Sequence, residues 1–320
     1  MKIEKSAFTV NSKYDSNIIH GVFASPVVKA NAKAIVVIAH GMAEHKGRYD
    51  EFITFLAQNG YAVFVHDHLG HGESVKSDDY LGFFGEEDGW KTLVEDCGSV
   101  IDCAREIFPN RQVILFGHSM GSFVARAFAQ MHPLTLDGAV FCGTSGSNPA
   151  AAIAVKIADA VAKSKGNLYR SEFINTIAFG TYNKKIKPQR TEFDWLTRDN
   201  EIVDKYVADK YCGFLFTACG FRDLFSVLKY VSGKSWYNGV RKNLPMYLIA
   251  GDADPVGEYG SGVKQVAADL KKTGHTNVDI KIYKGGRHEI LNETDRADVM
   301  NDVLLWLDKL TGNDADSDGE

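Results

Sequence analysis

Gly117-His118-Ser119-Met120-Gly121 constrains this chain more than any other feature, because it joins an apolar β-type run to a helical one. The run Gln112-Val113-Ile114-Leu115-Phe116 reads as a short buried strand, and Ser122 to Phe128 reads as the entrance of a buried helix. A serine between them sits on a sharp strand-to-helix turn that pushes its hydroxyl away from the backbone. Glycines two residues to either side are required because a Cβ there would strike the neighbouring strand or helix. The helix N-terminus beneath the serine favours negative charge developing beside it. The pattern therefore makes Ser119 a candidate nucleophile.

The bulk composition narrows the classes. At 320 residues the chain suits one α/β domain with an insertion, or two domains. Apolar content of 45% and charged content of 24% are those of an ordinary globular protein. A formal charge of −5 gives no general attraction to nucleic acid, so no nucleic-acid partner is expected. Five cysteines, odd in number and set in apolar contexts, read as buried free thiols of a reducing compartment. The N-terminus lacks the apolar run of a signal peptide and no stretch has the length of a membrane span, so a cytoplasmic location is expected. Asp314 to Glu320 imitates the start of a calcium loop but ends before the twelfth-position glutamate, and a disordered acidic tail over 312–320 is the reading adopted.

Along the chain, residues 1–30 suggest an antiparallel hairpin with Ile18 to Phe23 in its second strand. Apolar strands follow at 34–39, 61–65, 112–116 and 138–142, separated by helical stretches at 49–59, 89–108 and from 122. Strands that are almost continuously apolar and alternate with helices indicate a mostly parallel sheet flanked by helices. The alternation stops near Gly143, and residues 144–239, rich in Ala, Phe and Tyr, read as an inserted helical cap. It resumes with strands at 244–250 and 278–283 and helices near 263–272 and 295–310. The expected organisation is a core of 1–143 and 240–311 around a cap of 144–239.

A serine alcohol attacks well only when a base takes its proton, and that base needs a carboxylate to fix its tautomer. In this architecture the order should be serine, acid, histidine, with the last two on loops after late strands. Asp252 and Asp254 follow the strand ending at Ala250, and His288 follows the strand ending at Tyr283. Both loops lie at carboxyl ends of strands, where such sheets place ligands. Asp254 is the chosen acid, since Asp252 stands next to Gly251 and suits bonding to the backbone of its own turn. Oxyanion donors are expected from the backbone N–H of Met120, after the serine, and of Met42, after the strand ending in His40-Gly41.

A zinc class competes. His66-Asp67-His68-Leu69-Gly70-His71 spaces three histidines as in metallo-β-lactamase-like hydrolases, but Gly70 stands where that motif needs an aspartate. His132 and His275 do not stand at convincing strand ends, so no metal and no cofactor are expected.

Taken together, Ala39 to His45 with Gly47-Arg48-Tyr49, Asp67 to Ser74, Gly117 to Gly121 and Tyr283 to Glu293 resemble the monoacylglycerol lipase and lysophospholipase branch of the α/β-hydrolases. Phe193-Asp194-Trp195-Leu196-Thr197-Arg198-Asp199 looks similar to bacterial members. The resemblance covers about residues 20–310. It implies an α/β-hydrolase fold and a cofactor-free serine ester hydrolase acting on a lipid-like ester, with a cap that forms an acyl pocket and touches a membrane transiently. It also supports Asp254 over Asp252 as the acid, and it implies that Glu44, Arg48 and His118 lie near the polar head of the substrate. His40 joins them as a candidate substrate contact. Phe214, Leu215, Phe216, Phe221, Leu224 and Phe225 are candidates for an acyl channel, or simply for helix packing. An aminopeptidase, a small-ester or thioester hydrolase and a non-catalytic binding protein remain alternatives, and the oligomeric state is left open.

Overall fold

The computed structural model describes residues 1–312. The acidic tail expected at 312–320 thus lies, except for Gly312, outside the described residues. One sheet contains β1 Ile3–Asn11, β2 Ile18–Pro26, β3 Ile35–Ala39, β4 Ala62–His66, β5 Val113–His118, β6 Gly138–Cys142, β7 Met246–Gly251 and β8 Val278–Tyr283. Their spatial order is β1-β2-β4-β3-β5-β6-β7-β8. The β1–β2 hairpin is antiparallel, β2 runs antiparallel to β4, and the remaining pairings are parallel.

Every residue of β3 to β7 is buried, which explains their unbroken apolar runs: helices cover both faces. In β3, Ile35, Val37 and Ala39 enter one core layer while Val36 and Ile38 enter the other, as a period of two demands. The edge strand β8 alternates instead, with Asp279 and Lys281 turned to solvent. One layer is completed by α1 Asp50–Gln58 and α10 Arg296–Leu310. The other contains α2 Gly89–Ile107 and α3 Met120–Met131.

After β6 the insertion supplies α4 Ala151–Lys165, α5 Glu172–Phe179, α6 Asn200–Ala208, α7 Ala218–Ser232 and α8 Lys234–Gly239; α9 Ser261–Lys272 follows β7. The insertion is not one separate layer. Phe221, Leu224, Val227, Leu228 and Val231 of α7 join the core layer of α2 and α3, and Trp236 of α8 is fully buried there. The buried Arg126 of α3 fastens this arrangement. Its guanidinium lies 4.3 Å from the Trp236 ring centre and donates to Ser145 O (2.9 Å) and to Val231 O in the last turn of α7 (2.7 Å). A cation at a helix C-terminus gains from the aligned peptide dipoles; burial nevertheless pulls the Arg126 pKa down to about 10.

No helix among the described residues is long and apolar enough to cross a membrane. The five cysteines are free, four of them buried.

Two carboxylates in this layer set a pH dependence. Burial raises the Asp223 pKa to about 7, against the attraction of Arg222, and raises Asp96 to about 6, against bonds from Lys13 and Ser12. A raised folded-state pKa means that the fold holds a proton which the unfolded chain releases. The stability linked to it is present below the ordinary carboxylate range and is lost as pH climbs through the folded value. Asp223→Asn should therefore melt close to the parent near pH 4 and become more stable than it above pH 7, by on the order of 2–4 kcal/mol. Melting curves across that range check the sign; a gap that shrinks with rising pH would refute it.

Candidate active site

Ser119 forms the turn between β5 and α3, with φ 52° and ψ −120°, a conformation that L residues seldom adopt. The strain is held from several sides. Ser119 N–H donates to Cys142 O at the end of β6 (2.9 Å), and Ser119 O accepts from Ser122 N–H (2.8 Å) and Ser122 Oγ (2.6 Å). A Cβ on Gly121 would stand 2.0 Å from Ala39 O, and one on Gly117 would stand 2.3 Å from Gly121 O. Only glycine fits either place. Ser119 itself is half-buried, and its hydroxyl has no hydrogen-bond partner among the described residues.

The loops after β7 and β8 cross at Gly251, where a Cβ would lie 1.8 Å from Gly286 O. This crossing brings Asp254 and His288 together. His288 Nδ1 donates to Asp254 Oδ1 at 2.9 Å, and both side chains are almost wholly buried. The same Oδ1 accepts from Val256 N–H (2.8 Å), while Oδ2 has no partner. Asp252 bonds Gly285 N–H (2.6 Å), the turn of the adjacent loop rather than its own. His288 packs against Gly143, the residue after Cys142, so imidazole and serine meet the same end of β6.

The loop after β3 lies against the serine: a Cβ on Gly41 would be 3.2 Å from Ser119 Cβ. Neither Met42 N–H nor Met120 N–H has an acceptor among the described residues. For Met120 this follows from its place in the first turn of α3. Two open donors thus flank the serine.

The residues expected at the substrate's head are bonded to one another and to the loop after β3. His40 is completely buried, with Nδ1 donating to Gly41 O (2.8 Å) and Nε2 accepting from His68 N–H (3.0 Å), so its ring shapes the loop and offers nothing to a ligand. Burial and the neighbouring histidines keep its pKa well below the usual imidazole value. Glu44 and Arg48 lie behind that loop. Glu44 accepts from Gly41 N–H (2.5 Å), Tyr49 Oη (2.9 Å) and His118 Nδ1 (3.1 Å) through Oε1, and from Arg48 Nη1 (2.8 Å) through Oε2. Arg48 forks onto both oxygens of Glu289 at 2.6 Å. Burial would raise the Glu44 carboxyl, but Arg48 and His118 outweigh it and hold the pKa well below the usual range. Burial likewise works against the His118 imidazolium, yet the bond to Glu44 raises its pKa. Glu289 was missed from sequence; its position directly after His288 was the available signal.

The insertion grips the same loop. Tyr206 Oη and Gly213 N–H both donate to Ala43 O (2.9 Å), and His45 Nε2 pairs with Asp209 (3.0 Å). Of the three histidines with zinc-like spacing, His71 turns away, donating to Leu69 O (3.3 Å) and accepting from Ala43 N–H (3.2 Å). His66 and His68 lie near Cys97 instead. The supposed channel residues Phe216, Phe221 and Leu224 are buried in the core; Phe214, Leu215 and Phe225 are partly buried against it.

A mostly parallel sheet that delivers a strained serine from one strand end, and a bonded carboxylate and imidazole from two later ones, defines an α/β-hydrolase. Within that class the chain belongs to the Hydrolase_4 family, described as serine aminopeptidase S33, which matches residues 30–295. The monoacylglycerol lipase of Mycolicibacterium smegmatis is 28% identical, over 86% of this chain and 88% of its own length. The monoglyceride lipase homolog of monkeypox virus is 27% identical, over 92% and 95%. The crystal structure of a thermostable carboxyl esterase from Bacillus coagulans, in complex with glycerol, superposes with a TM-score of 0.90 at 29% identity, covering 96% of this chain and 99% of that one. The protein is an enzyme, a hydrolase of the serine esterase type in the monoacylglycerol lipase-like branch.

Proposed function

We propose that the protein hydrolyses monoacyl lipid esters through an acyl-enzyme on Ser119. The Asp254–His288 hydrogen bond, buried beside a strained serine, carries this reading. Ser119 Oγ attacks the ester carbonyl while His288 Nε2 takes its proton. The negative oxygen is held by Met42 N–H and Met120 N–H. His288 returns the proton to the departing alcohol, then takes one from water, whose oxygen attacks the acyl-enzyme and releases the fatty acid with Ser119 restored. Asp254 keeps the proton of His288 on Nδ1 and orients the ring. Ser119 Oγ and His288 Nε2 are brought into hydrogen-bond contact when the substrate binds, as such catalytic contacts tighten on binding.

The substrate class is supported by the relatives named monoacylglycerol lipase and monoglyceride lipase and by the partly buried Phe214, Leu215 and Phe225. An amine-binding cap is less well supported. Asp194 is occupied by Arg190 N–H, Thr191 N–H and Thr191 Oγ1, and Glu172, Glu192 and Glu201 face solvent. The test is a series of monoacylglycerols, with aminoacyl amides as the contrast. Each methylene that reaches an apolar channel adds about 0.8 kcal/mol, so kcat/KM should climb roughly three- to fourfold per methylene until the channel is full. A flat profile, or preference for the amides, would remove the lipid assignment.

A further inference from the structure

Phe193 to Asp199 belongs by sequence to the insertion, yet it is fastened to the loop that carries His288. His288 N–H donates to Trp195 O (3.3 Å) and Glu289 N–H to Leu196 O (2.7 Å). Arg287 Nη1 donates to Asp194 O (2.6 Å) and Thr197 O (2.8 Å), and Thr197 Oγ1 to Asn292 O (2.8 Å). Glu293, buried beneath, accepts from Arg198 Nε and Arg287 N–H, both at 2.8 Å. These bonds fix one side chain against the imidazole. The Trp195 indole lies 5.0 Å from the His288 ring, centre to centre, inclined by 39°, and Tyr182 meets the indole edge-on at 4.9 Å.

We propose that Trp195 is a positioning residue of the reaction, whose indole locks the His288 ring in place and stabilises its imidazolium while it holds the proton of Ser119. This rests on the role given to His288 above. An indole face is the aromatic surface that attracts a cation most strongly, and 5.0 Å is within the range where the attraction acts. In the reaction the ring enters neutral and gains its charge as it takes the serine proton, so the contact strengthens along the reaction and raises kcat more than it lowers KM. Asp254 alone holds Nδ1; the indole, together with the His118 ring at 4.9 Å, restrains the ring plane.

The other charged and titratable groups around the imidazole are Asp254, His118, Glu289 and Tyr182, with Glu44 and Arg48 behind them. All persist in a Trp195 variant, so a difference between parent and variant isolates the indole. Trp195→Leu should lower kcat about tenfold with KM within about twofold. It should also move the acidic limb of the kcat/KM profile to lower pH by about one unit, because the protonated ring has lost its cation–π partner. Trp195→Phe, which keeps a weaker face, should fall between.

A second measurement needs no turnover. In Ser119→Ala protein, acidification should quench Trp195 emission as the imidazole beside it protonates, and the step should vanish in the Ser119→Ala/His288→Gln and Ser119→Ala/Trp195→Phe proteins. An unmoved acidic limb with no quenching step would overturn the proposal, and so would a change confined to KM, which would make Trp195 a wall of the substrate pocket. Failure of the catalytic reading looks different: Ser119→Ala would keep its hydrolysis whatever the emission does.

Discussion

Ser119→Ala should lower kcat/KM for ester hydrolysis by about five to six powers of ten, while the protein melts within a few degrees of the parent. Serine hydrolases stripped of the nucleophile keep only the residual rate supplied by binding and the oxyanion donors. Nothing in the fold depends on the hydroxyl, which has no partner among the described residues, and alanine meets the same positive φ that serine already tolerates. A fluorophosphonate probe should label the parent and leave the variant untouched. Assays on the variant must exclude parent contamination at that level. Retention of even a hundredth of the parental rate, with a normal melt, would transfer the nucleophile elsewhere.

Arg48→Ala should be the most destabilising exchange near the site, costing about 3–5 kcal/mol and lowering Tm by roughly 8 °C. The guanidinium stands between two carboxylates, Glu44 and Glu289, whose side chains are only 3% and 4% exposed. Its removal leaves them buried with the cation gone, and an uncompensated buried charge costs far more than a pair contributes. Arg48→Lys should recover part of the loss, since an ammonium keeps the charge without the two-pronged contact to Glu289. Adding Glu289→Gln to Arg48→Ala should also recover stability, because it removes one of the stranded charges. Activity should fall too, as Glu44 anchors Gly41 N–H beside the serine and Glu289 adjoins His288. Calorimetry showing Arg48→Ala within about one degree of the parent would mean that solvent reaches this network.

The strands and helices of the sheet were largely legible, because buried parallel strands and amphipathic helices leave long periodic traces. The run at 278–283 matches β8 residue for residue, and the run at 138–142 matches β6. The insertion was harder. Its apolar residues fit a cap or a core layer equally well, and no local pattern shows that α7 packs on α2 and α3 or α8 on α3. In the site, position after a strand was enough to select Ser119, Asp254 and His288 for testing. The surroundings were opaque. The family resemblance places Glu44 and Arg48 near a polar headgroup, and nothing in their own sequence neighbourhood announces a buried ion-pair network. What buries them is Glu289, 241 residues from Arg48 along the chain, and no local pattern announces such a partner.

The fastening of residues 193–199 to the histidine loop bears on how the segment between β6 and β7 can be exchanged among these enzymes. A chimera cut at both ends of the insertion would import a foreign tether for the imidazole together with the new helices. Grafts that keep 193–199 native, and replace only the helices before them, leave the histidine loop its own support.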